Sequence, residues 1–265
     1  MNSIGRDLDV GGTVVRPIMG QRAMIDSGFS RFCDMLESFV TDAADDFASV
    51  SFRMSELLAS ELATLRSRAL LLHSWATAIE NGDRFNRGRS QLHNNGFSKI
   101  SLGKFANGWN VRLHVWPAGQ ADARIHDHRW SFVSVAFAGV LDVTNYVAGE
   151  AGEGAATPRY RLYDAATSGE KRLEHVADVT LRPTSFYQVH AGGCQALDFR
   201  DPHLVANSTN RQAVTLMVSA PPSRDYSHSY GERDQTCMLP APREVSDEEA
   251  ITQVRRVAAS LEAAE

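Results

Sequence analysis

The sequence predicts a mostly-β fold, a sandwich or barrel of short strands, with an α-helical extension before it and one helix after it. Three observations lead there. From about residue 93 to about residue 220, short apolar runs are broken by turn residues roughly every 8 to 12 positions, the spacing of sandwiches and barrels. Before that stretch, large apolar side chains recur at helical spacing. After it, Ser246-Asp247-Glu248-Glu249 forms a capping box whose acidic residues suit a helix start.

Taken in order, residues 1–22 show little periodicity and are expected to form a flexible arm, and residues 23–92 a helical extension. Phe29, Phe32, Leu36 and Phe39 give one amphipathic helix over residues 27–46. A second, longer helix is expected from near Ser51 through Leu57, Leu58, Leu62, Leu65, Leu70, Leu71 and Trp75, ending at Asn81-Gly82-Asp83. This layer reads as packing or dimerisation surface, with His73 structural. A polar linker, residues 84–91, leads to the barrel, residues 93–240. Its expected strands are residues 97–102, 109–116, 124–128, 132–138, 140–147, 160–162, 176–181, 185–190, 196–199, 203–206 and 213–219. The glycine-rich stretch 149–158 reads as a mobile hairpin loop, and the proline-rich stretch 221–242 as a solvated tail around the barrel, Tyr226, His228 and Tyr230 included. Residues 241–265 hold the last helix, with Ile251, Val254, Val257 and Leu261 on its docking face.

Composition narrows the function classes. Among 265 residues, 43% are hydrophobic and 22% charged, ordinary values for a globular protein. The formal net charge of -5 argues against a nucleic-acid-binding surface. No signal-peptide pattern and no run of about 18 apolar residues is present, so the expected compartment is the cytosol, with no membrane partner. Cys33, Cys194 and Cys237 lie far apart and lack CxxC spacing, which suggests neither a disulfide framework nor a zinc–cysteine site.

The chemistry concentrates in Arg124-Ile125-His126-Asp127-His128-Arg129-Trp130. On a strand, side chains two apart share a face, so His126 and His128 point together and Asp127 points away. Such a pair aimed into a barrel holds two corners of a metal's coordination sphere. Trp130 continues the same face as barrel packing. With Trp116 taken as inward, Arg112 and His114 share its face, and Phe97, Lys99 and Ser101 share one on the preceding strand. Lys99 and Arg112 are candidate anion contacts, Phe97 and Trp116 candidate substrate-pocket walls, and His114 a candidate acid/base group. For Arg112 an ion pair at a sheet edge is the alternative. Cys194, in Gly192-Gly193-Cys194, reads as a turn or core cysteine.

The run Gly119-x6-His126-x-His128-x10-Gly139 resembles the first cupin motif, and His203-Leu204-Val205-Ala206-Asn207 the end of the second. The resemblance covers about residues 93 to 225 and implies a double-stranded β-helix, a jelly-roll barrel. Within the cupins, residues 110–116 and Ile125-His126-Asp127-His128 are most similar to the cysteine dioxygenase branch. The glutamate ligand of the first motif is replaced here by Phe132 or Val133. The resemblance therefore implies a three-histidine site of His126, His128 and His203, with His190 as the competing third ligand. Neutral imidazoles suit Fe(II), the cofactor implied, and also Zn, Ni, Mn or Cu. The branch's Ser-x-His-x-Tyr relay falls on Thr215, Met217 and Ser219, and its substrate-binding arginine on Lys99, so cysteine is not the expected substrate. The resemblance implies a non-haem Fe(II) dioxygenase acting with O2 on a small polar or anionic molecule. A non-catalytic ligand-binding cupin, or a redox-neutral lyase, isomerase or hydrolase, is the alternative. Cupins often pair, so a homodimer is a further expectation.

Overall fold

The computed structural model describes residues 28–41, 47–83, 88–150, 156–164, 171–232, 238–239 and 241–265. The expected N-terminal arm, the first half of the linker and the centre of the glycine-rich loop lie outside them. Three helices come first, α1 (Gly28–Thr41), α2 (Phe47–Glu61) and α3 (Leu65–Glu80). The strands follow as β1 (Ser90–Leu92), β2 (Ser98–Lys104), β3 (Asn110–Trp116), β4 (Ile125–His126), β5 (Phe132–Ala138), β6 (Val140–Glu150) and β7 (Thr157–Asp164). Then come β8 (Lys171–His190), β9 (Cys194–Leu197), β10 (His203–Ala206), β11 (Ala213–Ser219), β12 (Tyr226–Tyr230), β13 (Met238–Leu239) and β14 (Arg243–Val245), before α4 (Asp247–Glu262).

The strands form two antiparallel sheets, ordered β14-β1-β2-β3-β11-β5-β9 and β13-β8-β6-β10-β4-β12-β7. Within them β3, β11, β5 and β9 oppose β8, β6, β10 and β4, the strand order of an eight-stranded jelly roll. The expected mostly-β class with helical ends is therefore the observed one. In the second sheet β7 also pairs with β8, which returns the ladder to its own start.

The first sheet is buried on both faces, and the two faces differ in character. Along β11, Val214, Leu216 and Val218 point to the helical layer, where they join Ile100, Leu102, Val111, Leu113, Val133, Val135 and Phe137. Helix residues Phe29, Leu36, Met54, Leu58, Leu72, Trp75, Val254 and Leu261 complete that core. The alternate positions Thr215 and Met217, with Arg112, His114, Lys99 and Ser134, line a cavity between the sheets. Period-two alternation has thus sorted apolar side chains towards the helices and polar ones into the barrel. Trp75 Nε1 donates to Leu102 O at 3.0 Å. The buried Arg68 donates to Leu62 O, Phe137 O and Ala63 O, joining the start of α3 to the end of β5.

Three expectations are corrected here. The single helix expected from Ser51 to Asn81 is two, because Thr64 caps α3 through a capping box with Ser67 and ends the preceding turn. The two strands expected at 176–181 and 185–190 are one, β8. Asn145 pairs with Ser185 and Tyr146 with Pro183, so Thr184 is the extra residue of a bulge beside the proline, where a strand tolerates it. Residues 226–230, expected in a solvated tail, form β12, which fills the place between β4 and β7. The helix expected last is present, and Ser246 and Glu249 satisfy each other's backbone N–H groups.

Candidate metal centre

His126 sits on β4 directly opposite His203 of β10 in an antiparallel register. Residues opposite each other across such a ladder have close Cβ atoms, so two side chains 77 positions apart meet on one face. Their ring centroids are 4.7 Å apart. The ladder stops at His126, so the strand expected over residues 124–128 is only Ile125–His126. His128 nonetheless returns to the same side, its ring centroid 5.0 Å from those of both His126 and His203. Each of the three offers a ring nitrogen, and these atoms lie within 4.8 Å of one another. His190 ends β8 in an exposed position opposite Val140 and is not part of this group.

The tautomers are arranged for binding outwards. His126 Nδ1 lies 3.1 Å from Arg124 O, and His203 Nδ1 lies 2.9 Å from Asp201 O. A carbonyl only accepts, so each Nδ1 carries the proton and each Nε2 keeps its lone pair. Burial drives the His203 pKa down to about 3 and that of His128 well below its usual value, and the neighbouring histidines add to both shifts. Both are neutral imidazoles at neutral pH, the form that ligates. Asp122, buried, accepts from Asn95 Nδ2 at 2.6 Å and Val205 N at 2.9 Å, and its Oδ2 lies 3.9 Å from His126 Nδ1.

The cavity measures about 490 Å³, within the usual range of small-molecule sites. Every residue expected from the sequence lines it: Phe97, Lys99, Arg112, His114, Trp116, His126, His128 and His203. Phe97 stacks on Trp116 at 4.1 Å between centroids and on His93 at 4.6 Å. His114 is 6% exposed, and its Nε2 has no hydrogen-bond partner. Desolvation, then Lys99 and Arg112, hold its pKa well below the ordinary value, so it is a neutral imidazole. The edge ion pair weighed for Arg112 is replaced by two other contacts. Its Nη1 donates to Ser219 Oγ at 3.0 Å, and its guanidinium lies 4.9 Å from the Trp130 ring centroid. Burial lowers its pKa to about 10, with Arg129 adding to the shift. Trp130, expected as packing, stacks on His128 and lines the cavity.

Asp127 points away from the histidine pair, as expected, and its surroundings were invisible in the sequence. It is 2% exposed and accepts from Arg224 Nη2, from the backbone N of His228 and, at 2.8 Å, from His228 Nδ1. His93, Asn95, Asp122, Lys171 and Gln195 also reach the cavity without having been singled out. Only Gln195 carried a usable signal, two residues from Leu197 on a short strand with Ser134 opposite it. Cys194 begins that strand, its Sγ 3.7 Å from Ser55 O, and burial raises its pKa against the pull of Arg68. Asn207, fully buried, donates to Trp116 O, Pro117 O and Arg211 O and so ties loops together without facing the cavity.

No protein-family model and no curated protein matches the chain. Similar solved structures include the Cnp3 cupin domain of Schizosaccharomyces pombe, at 8% identity and TM-score 0.30, over 48% of this chain and 62% of that one. An oxalate oxidase in complex with the substrate analogue glycolate matches at 14% identity and TM-score 0.31, over 51% and 55%. The oxalate decarboxylase of Lactobacillus farciminis, as a formate complex, matches at 11% identity and TM-score 0.31, over 53% and 32%. This chain spans less than two thirds of each of these proteins.

Proposed function

We propose that the chain is a metal-dependent cupin oxygenase, a non-haem Fe(II) dioxygenase acting on a small anionic molecule through His126, His128 and His203. One observation carries the reading. Three imidazoles converge within 4.8 Å on the wall of a cavity of about 490 Å³, two of them fixed by carbonyls in the ligating tautomer. Their donor set fits a divalent transition metal, because neutral nitrogen ligands suit Fe, Zn, Ni or Cu. Iron, when bound, supplies redox chemistry with O2.

The chain's own residues then sort by chemistry. Arg112, set over the Trp130 ring and tied to Ser219, presents a guanidinium able to grip a carboxylate in two-point fashion. Lys99, opposite His114 in the β2–β3 register, adds positive potential to the same wall. His114 is held neutral by its setting, so one ring nitrogen can donate and the other accept a hydrogen bond, and it does not act as a cationic acid at neutral pH. Phe97 and Trp116 form an apolar wall that excludes water from the bound molecule. Thr215, Met217 and Ser219 stand where the cysteine dioxygenase relay would be, which supports a substrate other than cysteine.

Metal analysis of the purified protein is expected to give one Fe per chain, and His203→Ala, His126→Ala or His128→Ala to lose it. Oxygen uptake with a panel of small carboxylic acids and thiols should be metal-dependent. Stoichiometric Zn without oxygen uptake would move the assignment to redox-neutral chemistry, and absence of any bound metal would end it.

A further inference from the structure

Resting on the metal-centre reading, we infer that Asp127 and Arg224 are positioning residues that set His128 as a ligand, so that the bend leading into β12 controls metal affinity. The need for such a device follows from the backbone. His126 is fixed by ladder pairing on both sides, to His203 of β10 and to Ser229 of β12. β4 ends there, so no regular ladder fixes His128 two residues later. Its backbone is held instead by discrete contacts. His128 N donates to Phe199 O at 3.3 Å, and Asp127 N donates to His228 O at 3.1 Å.

Arg224 gathers these contacts. Its Nη2 reaches the Asp127 carboxylate, His128 O at 2.8 Å and Phe199 O at 3.0 Å. The guanidinium lies 5.1 Å from the Phe199 ring centroid and 5.0 Å from that of Tyr226, which fixes its plane. The side chains of Asp127 and Arg224 are 2% and 13% exposed. A carboxylate this buried needs hydrogen-bond partners, and Arg224 and the two donors of His228 supply them. The carbonyl of His128 and the carboxylate of Asp127 thus share one guanidinium. Moving Arg224 moves the peptide that carries the ligand ring. Neither Asp127 nor Arg224 belongs to the three-histidine group, so their effect runs through His128.

Support of this kind is worth roughly 10- to 100-fold in metal affinity. The test is a chelator-competition titration with Co(II) on the full chain, using the visible absorption of bound Co(II) as a second readout. Arg224→Met is expected to weaken Co(II) about 10- to 100-fold and to change its spectrum, while Arg224→Lys recovers part of both. Asp127→Asn keeps the shape and an acceptor but removes the charge. It serves as the test should Arg224→Met fail to fold, and is expected to show the same spectral change with a smaller loss. Wild-type affinity and spectrum in a folded Arg224→Met or Asp127→Asn protein would overturn the positioning role alone. No Co(II) binding by the wild-type protein would overturn the metal reading and this role together.

Discussion

At the scale of single residues, Arg112 separates an anion-binding cavity from a merely polar one. Its described contacts are a hydroxyl and an aromatic face, with no carboxylate, in a setting that lowers its pKa to about 10. Desolvating a guanidinium this far is costly, and an anionic ligand would offset that cost. Arg112→Met is expected to raise KM for the anionic substrate by about 10- to 100-fold, the value of a lost charge-assisted hydrogen bond of about 1.5–3 kcal/mol. Metal content should not change, and a neutral ester of the same acid should be unaffected. Equal losses for acid and ester would show that Arg112 only shapes the wall. Gly139 makes a second residue-scale point: with φ +74°, a Cβ there would stand 2.7 Å from Gln212 O and Ala213 Cα. The motif glycine is therefore dictated by its positive φ between β5 and β6 and by the close approach of the start of β11, not by chemistry.

At the scale of elements, what was legible is what local pattern encodes. The inward face Arg112-His114-Trp116 and the alternation of β11 follow from period two, and the structure places them as that period requires, whereas His128 reaches the side of His126 from beyond the end of β4. The last helix was legible from its cap. Ser246→Ala should cost about 1 kcal/mol of stability, since it removes the acceptor for Glu249 N and half of the reciprocal box. A denaturation curve checks this, and a change below a few tenths of a kcal/mol would mean the end of α4 contributes nothing to the folded core. What was not legible depends on partners distant in sequence. Tyr226-Ser227-His228-Ser229-Tyr230 alternates weakly and becomes a strand only because β4 and β7 leave a gap of its width. Asp127 meets Arg224 and His228 across 97 and 101 residues, a pairing that no local pattern announces. Likewise residues 176–181 and 185–190 join in one strand, β8, across Pro183 through the bulge at Thr184, which the partner strand β6 defines.

At the scale of the whole molecule, the barrel buries ionisable rings in their neutral form, and this makes stability depend on pH and, on the metal-centre reading, on bound metal as well. Burial lowers the pKa of His93 to about 2 and that of His203 to about 3, and sets those of His114 and His128 well below the usual range. In the unfolded chain each titrates near ~6.5. Below that pH the unfolded state binds protons that the folded state refuses, so stability is complete above ~6.5 and falls as the pH drops towards the folded pKa values. Each such histidine contributes a slope of about 1.4 kcal/mol per pH unit, and two acting together about 3. Against a typical total of roughly 5–15 kcal/mol, the metal-free protein is expected to unfold cooperatively between about pH 6 and pH 4. Bound metal requires two of these rings, His128 and His203, in the same neutral form, so saturating metal adds its binding free energy to the folded side and moves the acid midpoint lower. Urea denaturation of chelator-treated and metal-loaded protein, followed by circular dichroism from pH 7.5 to 4.5, measures both effects. A flat stability between pH 7.5 and 5 would refute the buried neutral histidines. A slope without any displacement by metal would leave the burial intact and remove the metal from the barrel.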